Sequence, residues 1–180
     1  MSKITLNLLH TTDFSGLVIT PVIAPETVTH ETAGKETGDI RSIAGKTLLS
    51  LGPQKKLSLE AIRKAGGMLA KWLAKNNVTA AGLELNPLFG LGLPPVASVN
   101  ALAEGLLLGA FSFAKYKSEN EEKESALSLL IDGNPSTGSG GGPRQAELEQ
   151  VIAKAAIVAE AVNLSREWAH EPPNVINPVT

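Results

Sequence analysis

Three histidines, three aspartates and no cysteine are all that this chain offers a metal ion besides its glutamates. His10, His30 and His170 lie far apart, and neither His30-Glu31 nor His170-Glu171 continues into the HExxH spacing that sets two ligands on one helical face. Nucleophilic chemistry fares no better: there is no G-x-S-x-G elbow, and Ser139 sits between glycines without the strand-to-helix turn that would expose it. The Gly-rich run Gly138 to Gly142 could cradle a phosphate with its backbone amides, since a strand precedes it and a helix follows. However, the lysine and hydroxyl of a P-loop are absent, and Pro143 removes one amide, so the composition reads as a linker. Glu119, Glu121, Glu122 and Glu124 form a solvated acidic turn. Glu104 is the one acid inside an apolar helix, and it is expected to reach solvent or pair with a nearby base. No residue is therefore assigned a catalytic, metal-binding or cofactor-binding role.

The elements that would have to position any such group fit one domain plus an arm. The chain has 180 residues, enough to bury a core without staples, and the lack of cysteine excludes a disulfide scaffold. Sixteen basic against 18 acidic residues give a formal charge of −2, which argues against a polyanion-binding surface, so no nucleic-acid partner is expected. Residues 1–10 lack the apolar core and cleavage site of a secretory leader. The most apolar later stretch, Leu102 to Phe113, is interrupted by Glu104 and is too short to cross a bilayer. A cytoplasmic chain without membrane contact is the expectation.

Alternation of Ile4, Leu6 and Leu8 predicts a half-buried strand, and Gly16 to Ile23 a strand buried on both faces. Residues 24–38 read as a loop, and Lys46 to Leu51 as another strand. Ser58 is a candidate N-cap for a helix whose Ile62, Ala65, Leu69, Trp72 and Leu73 recur at helical spacing, with Lys64, Lys71 and Lys75 on the other side. Further strands are read at Val78 to Leu85 and Ser125 to Ile131, and a second helix from about Ala97 to Tyr116. In that helix Gly105 and Gly109 would let a neighbouring backbone come close. A long helix runs from about Pro143 to Ala169 with Leu148, Val151, Ile152, Ala155, Val158, Ala159 and Val162 as its stripe, ended by Pro172-Pro173. Such a helix exceeds what the sheet needs for cover, so its stripe beyond Val158 should be partly uncovered. Alternating strands and helices predict an α/β fold, a mixed and largely parallel sheet sandwiched by helices.

Two segments resemble a known family closely, and a third also resembles it. Ala103-Glu104-Gly105-Leu106-Leu107-Leu108-Gly109-Ala110-Phe111-Ser112-Phe113, with Tyr116-Lys117-Ser118, is similar to the "EG-x-x-LG-x-Y/F-x-F…YK" helix in the N-terminal domain of leucyl (cytosol) aminopeptidases. Asn163 to Pro178, with Arg166, Glu167, Trp168 and Pro172-Pro173-Asn174, resembles that family's junction between an interdomain helix and the catalytic domain. Leu48 to Gly52, followed by a Lys-bearing helix, resembles its strand–"GLG"–helix. His170 stands where the family usually has Asn, and the stretch between Val22 and Lys46 is shorter than usual.

The resemblance implies a macro-domain-like body over residues 1–142, a long interdomain helix over 143–171, and the start of a junction over 172–180. It implies a non-catalytic N-terminal domain with an assembly or regulatory role. Its partners would be its own catalytic domain and like subunits, a homohexamer in intact relatives. The parent activity is release of N-terminal amino acids from peptides by two divalent metals, zinc or manganese, held in the catalytic domain, which this chain does not contain. An alternative from another class is a stand-alone macro-like module binding ADP-ribose or another phosphate ligand.

Overall fold

The computed structural model describes residues 3–25, 34–113, 115–116, 124–131, 145–172 and 175. Its strands are β1 (Lys3–His10), β2 (Val18–Ala24), β3 (Ile40–Ile43), β4 (Lys46–Pro53), β5 (Ala80–Glu84) and β6 (Glu124–Ile131). Its helices are α1 (Leu59–Lys75), α2 (Asn86–Phe89), α3 (Pro95–Gly109) and α4 (Gln145–His170). They form one six-stranded sheet in the order β1-β6-β5-β2-β4-β3, parallel except where β3 meets β4. The mixed, mostly parallel sheet is the one the alternating pattern predicts.

Register decides which side chains meet. Leu6 lies opposite Leu127, Ala81 opposite Leu127, Ile19 opposite Leu83, and Thr47 opposite Ile19. Ile4, Leu83, Ile19, Leu49, Leu127 and Leu129 therefore share one face, and all are buried in the main cluster. All three long helices feed that cluster, through Ile62 and Leu69 of α1, Leu102 and Leu106 of α3, and Leu148 of α4. On the second face Thr5, Asn7, Ala80 and Ala126 are exposed.

The N-cap prediction holds: Ser58 Oγ accepts from the amide of Ala61 at 3.2 Å, and Lys64, Lys71 and Lys75 point outward. Sequence periodicity passed over β3, which forms a hairpin with β4. Its two-residue turn, Ala44-Gly45, needs φ of 47° and 79°, the left-handed pair of a tight hairpin. The stretch after β5 holds a one-turn helix, α2, rather than loop alone.

The second helix is shorter than expected. α3 begins at Pro95 and stops at Gly109, so Phe113 and Tyr116 lie beyond its end. Its small residues meet α1. A methyl group on Gly105 would stand 2.0 Å from the carbonyl oxygen of Arg63, and one on Gly109 2.5 Å from Gly67 Cα. Two helix backbones in direct contact is the close approach that glycine alone permits.

α4 has 26 residues and so extends about 40 Å. Leu148, Ala155 and Ala159 are buried, while Ile157 is 69% exposed, Trp168 60%, Leu164 46% and Val158 39%. Val158 thus leaves the buried stripe and Ala159 stays in it, while Leu164 and Trp168 further along are exposed, so the helix beyond Val158 is partly uncovered. Among the described residues, no helix is long and apolar enough to cross a membrane.

Candidate functional site

Glu104 finds its base. Its carboxylate accepts from Arg63 Nε at 3.0 Å and from Asn100 Nδ2 at 2.8 Å, and Arg63 also pairs with Glu60 across one turn of α1. The Glu104 side chain is 17% exposed, so this is a partly buried ion pair fastening α1 to α3 beside the Gly105 contact. Its role is structural. Among the described residues no three of His, Asp and Glu come together in a way that could hold a metal. His10 ends β1, while His30, Ser139 and the run Gly138–Gly142 lie outside the described residues, as do Glu119, Glu121 and Glu122.

The densest polar constellation lies elsewhere, where the end of α4 meets the segment that follows α3. Glu171 accepts from Lys115 Nζ and from the Tyr116 hydroxyl, and its side chain is 4% exposed. One to two turns earlier, Asn163 Nδ2 donates to the Leu107 carbonyl at 3.3 Å, and Arg166 donates to the Leu108 carbonyl at 3.1 Å and to Asn163 Oδ1 at 3.3 Å. Those carbonyls belong to the last turn of α3, which has no following turn whose amides could donate to them. The guanidinium stands 5.8 Å from the Phe111 ring centre. His170 packs against Phe113 and Phe111, with ring centres 5.3 and 6.0 Å apart, and its Nδ1 donates to the Arg166 carbonyl at 2.7 Å.

This clasp joins residues 55 or more positions apart, and all but Lys115 are among the residues of the two segments that resemble one family's motifs. None of Asn163, Arg166, Lys115, Tyr116 and Glu171 was singled out as a site residue from the sequence. The usable signal was the motif itself: an Asn and an Arg three residues apart on one helix, and Tyr116; Lys115 falls between the motif's quoted residues and carried no such signal. Chemically the arrangement fixes the direction in which the chain leaves α4.

Electrostatics of the clasp give a pH signature. Hydrogen bonds from Lys115 and then Tyr116 hold the Glu171 carboxyl below the usual carboxylate range, while the bond to Glu171 holds Lys115 and Tyr116 above theirs. A lowered acid contributes fully above its free value and loses that contribution as pH falls through the folded one. The raised Lys115 and Tyr116 contribute below their free values and lose it as pH rises through the folded ones. Melting temperature should therefore fall below the carboxylate range and again above the usual tyrosine range. Glu171→Gln should melt lower at neutral pH and converge with wild type in acid. Parallel profiles at every pH would show that the ionised clasp contributes nothing.

Residues 34–120 match the model of the "Cytosol aminopeptidase family, N-terminal domain". A probable cytosol aminopeptidase of Streptomyces coelicolor is 34% identical over 127 residues, covering 66% of this chain and 23% of that protein. One from Treponema denticola is 30% identical over 139 residues, covering 77% of this chain and 27% of that protein. This chain belongs to the cytosol aminopeptidase family. It corresponds to the N-terminal domain, spanning about a quarter of the length of these relatives. Among solved structures, a tomato leucine aminopeptidase variant aligns over 99% of this chain and 40% of its own, with TM-score 0.70 and 18% identity. The bottromycin maturation enzyme BotP in complex with Mn aligns over 90% and 33%, at 0.63 and 21%. At those identities the likeness is one of fold. The aminopeptidase-family match takes in Arg63, Glu104, Gly105, Lys115 and Tyr116 and stops before α4, whose half of the clasp is carried by the motif at 163–178.

Proposed function

We propose that this chain is the non-catalytic N-terminal portion of a metal-dependent aminopeptidase that releases N-terminal residues from peptides in the cytoplasm. In this reading residues 1–142 are the body, 143–171 the bridge and 172–180 the start of the junction. One observation carries it: two family-like segments converge on a clasp that orients the end of a helix too long for its own sheet. Trp168, Leu164 and Ile157 on that helix are exposed, as expected of a bridge that another domain covers. The work of such a portion is positional, serving assembly of like subunits and access to active sites.

In this reading the zinc or manganese pair would be held by the family's catalytic domain, where it would activate water and polarise the peptide carbonyl. The purified chain, given a leucyl anilide and manganese, should release no more aniline than a chelator-treated blank. Metal-dependent turnover would overturn the reading.

A further inference from the structure

α4 is held to the body in two different ways along its length. Its buried residues, Leu148, Ala155 and Ala159, all lie before Glu160, where Val151 and Ile152 also pack against the core cluster. Beyond Ala159 no residue of the helix is buried, and Val162 is half-buried. From there to His170 the contacts are polar, or polar side chains laid on rings. Asn163 and Arg166 donate to the Leu107 and Leu108 carbonyls, the guanidinium lies over Phe111, and His170 packs against Phe111 and Phe113. Glu171 closes the series on Lys115 and Tyr116. Water replaces hydrogen bonds of this kind when they open, so the net cost of opening each is small, whereas buried apolar surface gains no such replacement.

We propose that the last part of α4, Glu160 to His170, is a latch that undocks from the body as one unit while the part up to Ala159 stays packed. Its contacts are tied to one another within the helix: Arg166 donates to Asn163 Oδ1, and the Arg166 carbonyl accepts from His170 Nδ1, so freeing one loosens the rest. A released helical end of about three turns is marginal on its own, so it also unwinds. Docked, the latch gives the chain one direction of exit and covers the rings of Phe111 and Phe113 with His170 and Arg166. Undocked, it frees that direction and uncovers both rings. This goes beyond the reading above: it concerns how the bridge is held to this domain, and it stands or falls on the chain alone whether or not a catalytic domain follows.

Amide exchange of the whole chain, followed residue by residue by NMR at neutral pH, tests it. Amides from 163 to 170 should exchange about tenfold or more faster than those from 151 to 159, and should share one protection factor, because a unit opens with a single equilibrium. Tyr116→Phe removes one donor to Glu171 from an exposed side chain, so the fold is kept. It should speed every amide from 163 to 170 by a common factor of about five and leave 151 to 159 unchanged. Glu171→Gln should do the same more strongly. Protection that falls off residue by residue towards His170 would mean simple fraying of a helix end. Variants that speed both stretches alike would mean that α4 opens as a whole, and variants with wild-type rates that nothing is latched. Each of these would overturn the proposal.

Discussion

Alanine in place of Gly105 should destabilise the chain by about 3 kcal/mol, measured as a lowered urea midpoint with unchanged slope. Alanine in place of Gly67, in the same helix crossing, should do the reverse and add up to about 1 kcal/mol. Helix propensity favours alanine equally at both positions, so space decides the sign. At Gly105 the new methyl would lie 2.0 Å from the Arg63 carbonyl oxygen, a backbone atom that moves only if α1 and α3 separate. Separation would loosen the packing of Leu102 and Leu106 against Ile62 and stretch the Arg63–Glu104 pair. At Gly67 the nearest atom would be 3.5 Å away, an ordinary contact. Equal effects at the two positions would mean that the helices are not held at this distance.

Arg166→Ala should cost about 2 kcal/mol, the second-largest loss expected from a single substitution. It removes the donor to the Leu108 carbonyl, the partner that steadies Asn163, and the cation over Phe111. With Asn163 loosened, the Leu107 carbonyl loses its partner as well, so the end of α3 carries exposed negative charge with nothing to offset it. Arg166→Lys should recover little, because one ammonium cannot span a carbonyl and an amide oxygen from a fixed fork. Asn163→Ala and Arg166→Ala should be strongly non-additive when combined, as members of one network are. Urea unfolding of the two single variants and the double variant checks this, and simple addition of the losses would show that the two side chains act separately.

Local pattern made most of the framework readable. Ser58 announces α1, period-two apolar residues announce β1, and the small residues of α3 announce a close neighbour. What local pattern could not supply was the identity of that neighbour, or the place where α3 stops. Leu106 to Phe113 continues apolar without a proline, so periodicity runs on towards Tyr116. The helix ends at Gly109, where the side chains of Asn163 and Arg166, more than fifty positions away, satisfy carbonyls of its last turn. β3 escaped for a related reason. Four residues carry too little periodicity to register, and its turn uses Ala44 where Asn or Asp would have advertised a left-handed position. The clasp was legible only as a resemblance: Tyr116, Lys115 and Glu171 are ordinary surface residues until the fold brings them together.

The parallel pairing of β1 with β6 has a consequence for how the chain is made. Lys3 lies opposite Glu124, so the first strand to be synthesised waits for a partner roughly 120 residues later, one of the most costly loops to close in a chain of this size. Until β6 is in place, β1 has no sheet to join, and its Leu6 and Leu8 are loose apolar residues on an unanchored end. The slowest contact in the topology is therefore the one that ties the amino-terminal strand to the rest of the sheet.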